Sequence, residues 1–128
     1  MKELLLVAAG GAVGSFARYK LSGLVLHHTL DWRFPAGTFA VNVLGCLAAG
    51  LLAGIAEHQH VVSPESRLLL LTGLLGGFTT FSAFGLETVF LLRRGDVLVA
   101  GANVARSVVI GLGALRLGMA LGALTRGR

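Results

Sequence analysis

This sequence predicts an all-α integral membrane fold with four spanning helices. Three observations lead there. Of the 128 residues, 55% are hydrophobic and only 13% are charged, whereas ordinary soluble domains carry roughly 25% charged residues. Most of the surface therefore cannot face water. The apolar residues fall into four runs, each about as long as the ~20 residues that a helix needs to cross a bilayer. The runs are continuous rather than alternating, which excludes half-buried strands.

The first span is 4–26, interrupted by Arg18 and Lys20. The start of the chain resembles a signal peptide, but no polar mature domain follows, so the segment reads as a retained span. The second span is 35–56 and opens on Pro35, whose fixed φ and missing N–H suit a helix start. Glu57 to Arg67 is a polar link in which Ser63 and Pro64 form an N-cap and N1 pair. The third span is 68–92, and Arg93-Arg94-Gly95-Asp96 makes a tight turn into the fourth, 97–124. No link is long enough for an extramembrane domain, so 1–128 reads as one transmembrane domain in contact with a lipid bilayer.

Composition excludes several functions. The net charge is +5, but the eleven basic residues are dispersed rather than gathered on a polar segment, and no nucleic-acid footprint results. Cys46, the single cysteine, lies in an apolar run and reads as a buried thiol. His27, His28, His58 and His60 fall in links and read as solvated. There is no Ser–His–Asp set, no paired carboxylates and no Cys/His ligand set, so the chain is not expected to be an enzyme.

Charge also bears on orientation. With four spans both termini share one side, which carries Lys2, Arg67, Arg126 and Arg128. The other carries Arg33, Arg93 and Arg94, joined by Arg18 and Lys20 if these lie near that interface. Membrane proteins orient by a Lys/Arg excess, and here there is almost none. Insertion in both orientations is compatible with this balance, as is a single orientation fixed by a few charges.

Glycine is abundant, at nineteen residues. Gly10 and Gly14, Gly50 and Gly54, and Gly118 and Gly122 are each four apart, the spacing at which small residues let helix backbones approach closely in lipid.

The third span is the most informative. Its centre, Gly76-Gly77-Phe78-Thr79-Thr80-Phe81-Ser82-Ala83-Phe84-Gly85, pairs two glycines and two threonines, poor choices for an unbroken helix. A break would free backbone carbonyls, which membrane depth tolerates only where protein buries them or they line a cavity. Phe78, Phe81 and Phe84 are spaced by three and fall on one helical face. Two readings fit that stripe: packing, or an anion path lined by the positive ring edges. Asn42, mid-span, serves either as interhelical glue or as a pore donor, with Thr38 one turn before it. Asn103 and Ser107 form a polar stripe in the fourth span, and Glu87 is an ionisable residue inside a span, a functional candidate by default. Arg18 is too deep to be a simple flank: it either snorkels or sets a positive potential at a pore mouth.

With these residues in view, the sequence resembles the Fluc/CrcB family of small fluoride channels. The resemblance rests on Gly10-Gly11-Ala12-Val13-Gly14 leading to Arg18-Tyr19, on Gly37-Thr38-Phe39-Ala40-Val41-Asn42 with Gly45, and above all on Gly73 with Gly76-Gly77-Phe78-Thr79-Thr80-Phe81-Ser82. Glu87 and Arg94-Gly95 also fit. The resemblance implies an antiparallel, dual-topology homodimer with two pores, a third helix broken near its centre, and passive fluoride export across the cell inner (plasma) membrane. It implies that Phe81 and Phe84 supply ring edges, that Asn42 orients them, and that Ser82, Thr38, Glu87, Asn103 and Ser107 continue a polar track. Arg18 would stand at the vestibule, and a structural Na+ would be held by the backbone carbonyls of Gly76 and Thr79. Where the family commonly has a hydroxyl residue, this chain has Ala83. Gly111 likewise thins the fourth-span track, and Arg106 and Arg116 belong to no motif. The rival reading is a small proton-coupled multidrug exporter, which needs a membrane-buried carboxylate. The first span offers none after Glu3.

Overall fold

The computed structural model describes residues 1–59 and 62–125, with backbone alone for His58 and Gln59. His60, Arg126 and Arg128, which entered the link and charge readings above, lie outside the described residues.

Four helices are long and apolar enough to cross a membrane, and there is no strand among the described residues. Helix α1 is Lys2–His28 and α2 is Ala36–Gln59. Next comes a helical rod, α3, over residues 64–78: an α-helical turn Pro64–Arg67, a π-helical stretch Leu68–Leu75 and a last turn Gly76–Phe78. Helix α4 is Phe81–Arg93 and α5 is Val97–Leu124. Together α3 and α4 form the third span.

Some helix ends differ from the hydropathy reading, and the caps explain why. The third span begins at Pro64, ahead of the apolar run at Leu68, because Ser63 Oγ accepts the Ser66 N–H at 3.1 Å and Pro64 takes the first helical position. Arg67 is therefore helical and not part of a link. The second helix proper starts at Ala36, with the Pro35 carbonyl accepting from Phe39 N at 3.2 Å, and runs on to Gln59. The turn at Arg94-Gly95 closes α4 with paired bonds, Asp96 N to Leu91 O at 2.9 Å and Gly95 N to Leu92 O at 3.0 Å. This C-cap requires a left-handed residue, and Gly95 supplies it at φ 83°.

Two close-packed pairs build the bundle, and glycines make both. Helix α1 lies along α3, and α2 lies along α5. Gly10 and Gly14 sit against the backbone of Leu69 to Phe78, where a Cβ on Gly14 would collide with the Leu74 carbonyl. Gly50 and Gly54 sit against Leu115 and Met119, while Gly118 and Gly122 sit against Leu47 and Leu51. Lipid gives no hydrophobic drive between helices, so backbone approach of this kind supplies the van der Waals contact that holds them together.

A broken helix framed by Asn42

The break lies at Thr79 and Thr80, both extended, with φ/ψ of −82°/156° and −151°/117°. Its chemistry is local and complete. In an unbroken helix the Thr80 N–H would bond the Gly76 carbonyl. Instead it donates to Asn42 Oδ1 at 2.8 Å, while Asn42 Nδ2 donates to the Thr80 carbonyl at 2.9 Å. One amide side chain on α2 thus pairs with both sides of Thr80. The Ala83 N–H, the helical partner of the Thr79 carbonyl, donates to Thr80 Oγ1 at 3.2 Å, so Thr80 is the N-cap of α4. On the near side, Thr79 N and Thr79 Oγ1 both donate to the Leu75 carbonyl at 2.9 Å and end α3. The Gly76 and Thr79 carbonyls have therefore lost their helical donors. Hard oxygen atoms of this type suit a hard cation and not a soft metal.

Two cavities flank the break, and Thr80 lines both. One, of about 400 Å³, includes Asn42, Gly45, Cys46, Gly76, Thr79 and Phe81 in its lining. The other, of about 370 Å³, includes Ser15, Arg18, Ser22, Thr38, Thr80 and Ala83. Arg18 thus shares the lining of a largely apolar hollow with Thr38 and Thr80. Thr80 stands between a largely apolar cavity that reaches Gly76 and Thr79 and one that carries a guanidinium.

Beyond the break, Phe81 and Phe84 lie with ring centroids 5.5 Å apart and planes tilted by 45°. Phe81 is 83% exposed, whereas Phe84 is half-buried. Phe78 does not continue their face. The two extended residues reset the helical phase, and Phe78 is half-buried on α3, near Gly45 of α2. The three-ring stripe drawn from spacing alone is therefore corrected to a pair of rings.

The polar candidates sort into three groups. Thr38 Oγ1 donates to Glu87 Oε1 at 2.7 Å, and Glu87 Oε2 is buried without a hydrogen-bond partner among the described residues. Asn103, 1% exposed, donates to Thr88 Oγ1 at 2.9 Å, and Thr88 in turn donates to the Phe84 carbonyl at 2.8 Å. This relay anchors the backbone that carries the Phe84 ring. Ser82 Oγ lies 3.3 Å from Thr80 Oγ1, and Ser107 is half-buried on α5 without joining either relay. Sequence reasoning missed the roles of Thr80 and Thr88. Spacing held a clue to one of them, since Thr88 follows Phe84 by four and a threonine there bonds back to the preceding turn. The pairing of Asn42 with Thr80 spans 38 positions and leaves no periodic trace.

Comparison with known proteins identifies the family. Residues 5–119 match the family model described as CrcB-like protein, Camphor Resistance (CrcB). The chain is 57% identical over 125 residues, 98% of each chain, to the fluoride-specific ion channel FluC of Methylobacillus flagellatus. It is 47% identical over 121 residues, 94% of this chain and 95% of the relative, to the protein of the same name in Rhodospirillum centenum. In Maridesulfovibrio salexigens another protein of that name is 42% identical over 124 residues, 97% of this chain and 98% of its own. By the family model and by relatives matched along nearly their whole length, the chain belongs to the CrcB-like protein family.

Proposed function

We propose that this protein is a fluoride-selective channel that lets F⁻ leave the cytoplasm passively across the inner (plasma) membrane and so relieves fluoride toxicity. The observation that carries the reading is the broken third span. It gives a multi-pass membrane protein an interrupted backbone at depth, two adjacent phenyl rings and a set of hydroxyl and amide donors. A small, strongly hydrated anion must exchange its water for such donors, and must be held weakly enough to leave. The edges of Phe81 and Phe84 offer positive potential without a full charge. Asn42 positions the backbone from which both rings project. Ser82, Thr38, Glu87, Asn103 and Ser107 then mark the polar track, and Arg18 raises the local anion concentration at one mouth. No bond is made or broken in this process.

The functional unit in this reading is an antiparallel homodimer. Phe81 is 83% exposed, and the cavity beside it opens on the same region of the surface. Two-fold symmetry brings the same patch of both copies together, which covers the rings and doubles the oxygen set contributed by Gly76 and Thr79. A structural Na⁺ bound there would neutralise carbonyl dipoles that have no donor. The near-balance of Lys and Arg across the membrane supports insertion in both orientations.

A test in cells is growth of a bacterium without fluoride export, in acid medium containing fluoride, with and without this chain. Rescue is expected. Growth no better than the empty control would count against fluoride export, and rescue against cationic drugs instead would favour the multidrug-exporter reading.

A further inference from the structure

The end of the bundle formed by the α1–α2 link and the α4–α5 turn carries an unexplained arginine. Arg106 lies in α5, nine positions beyond the helix start at Val97. At about 1.5 Å per residue that is about 13 Å into the span. It has no carboxylate partner among the described residues, although others at this end do: Arg33 donates to Asp96 Oδ1 at 3.0 Å, and Arg94 Nε lies 3.8 Å from Asp96 Oδ2. The guanidinium of Arg106 instead turns back toward the link and rests 5.4 Å from the centroid of the Phe34 ring. A long basic side chain in lipid bends in this way to bring its charge to the headgroup level.

It does not arrive there alone. Trp32, Arg33, Phe34, Leu98, Val99 and Arg106 line one surface hollow of about 400 Å³. Its floor is apolar, and Leu98 and Trp32 are 89% and 63% exposed. The hollow thus has two guanidinium groups at the rim, one of them unneutralised, an interfacial tryptophan, and aliphatic side chains running toward the membrane core. Positive charge above apolar surface complements a molecule with an anionic head and a hydrocarbon tail. A soluble anion would use the charge and leave the apolar floor bare. Zwitterionic lipid would bring its own cation to the two guanidiniums.

We propose that this hollow is a binding site for the phosphate of an anionic phospholipid, held by Arg106 and Arg33 with an acyl chain against Leu98 and Val99. Phe34 is a positioning residue that keeps the Arg106 guanidinium at the rim by cation–π contact. The site is separate from the cavities at the helix break, and it does not depend on the transported ion.

Trp32 is the only tryptophan in the chain, so its fluorescence reads this hollow alone. The purified full-length protein is reconstituted in phosphatidylcholine vesicles doped with either phosphatidylglycerol or phosphatidylcholine that is brominated on its acyl chains. A basic residue near an anionic surface contributes about 1 kcal/mol, or roughly fivefold in affinity. Brominated phosphatidylglycerol should therefore quench Trp32 with an apparent affinity several-fold above that of brominated phosphatidylcholine. Arg106→Gln should lower this preference about fivefold, Arg106→Lys should retain much of it, and inorganic phosphate should not relieve the quenching. Equal quenching by the two lipids in the parent overturns the proposal, as does a preference unchanged in Arg106→Gln. Relief by inorganic phosphate would show an anion site with no lipid requirement. Absence of quenching by either lipid would show that a second copy covers the hollow. Either result also overturns it.

Discussion

Removing the amide of Asn42 should close the helix break, and the structure gives the size of the effect. Asn42 accepts from the Thr80 N–H at 2.8 Å and donates to the Thr80 carbonyl at 2.9 Å. Asn42→Ala removes both bonds without adding bulk. The Thr80 carbonyl, at the N-cap of α4, keeps its first intrahelical bond, so a rigid backbone would leave the Thr80 N–H unpaired at about 1–3 kcal/mol. A cheaper response exists. The Thr80 N–H can turn back to the Gly76 carbonyl, its ordinary helical acceptor, and neither Thr80 backbone group is then left without a partner. The loss falls to the net worth of a hydrogen bond, about 0.5–1.5 kcal/mol, so the variant should still fold. That relaxation occupies one of the two carbonyls proposed to hold Na⁺ and rotates Phe81 and Phe84 away from their positions. The expected outcome is a protein that purifies and melts cooperatively in detergent but has lost fluoride flux. A ligand that binds only the folded state stabilises it, so the parent should melt higher in sodium than in a bulky organic cation, and Asn42→Ala should show no such difference. If Asn42→Ala conducts fluoride and keeps the parent's sodium-dependent melting, then the amide does not hold the break open and the reasoning fails.

Three further outcomes follow from the same geometry. Phe81→Ile and Phe84→Ile each keep an apolar side chain and remove the ring quadrupole, so both should lose most fluoride flux while still assembling, whereas Phe78→Leu, on α3 before the break, should be mild in the same flux assay. Gly118→Ala places a Cβ against the backbone of Leu47 and Leu51, neither of which can yield as a flexible side chain would; its yield and thermal stability should collapse, whereas Gly23→Ala, which meets nothing within 4 Å, should be tolerated. A C-terminal tag probed on sealed cells should be accessible from both sides, and adding several lysines to one end should bias insertion and lower activity when that variant is expressed alone. A single orientation of every parent copy would exclude the antiparallel pair.

Parts of this structure are legible in the sequence because they obey local rules. The four spans follow from apolar length, and the glycine pairs from a spacing of four. The break follows from the two threonines, whereas Gly76 and Gly77 stay helical and Gly77 packs against the backbone of Gly11. Gly95 announces its turn because only a residue at ease with positive φ completes that cap. Other features are not local. The π-helical stretch Leu68–Leu75 has no signature in a run of leucines, and it lies where α3 packs against Gly10 and Gly14. The partner of Asn42 is a peptide group 38 positions away, and backbone partners leave no side-chain pattern. Arg106 looked anomalous for a related reason: its depth along α5 is set by sequence, but the direction of its side chain is set by Phe34 in a distant link.

The central claim is that this chain passes fluoride and little else, down its gradient and without a coupled ion. The most direct measurement is efflux from proteoliposomes loaded with potassium fluoride, followed by a fluoride electrode after a potassium ionophore relieves the charge imbalance. A parallel set loaded with chloride serves as the control. The account predicts rapid fluoride release that needs no proton gradient, with chloride release close to that of protein-free vesicles. Comparable rates for the two anions, or fluoride release that appears only when a proton gradient is imposed, would contradict it.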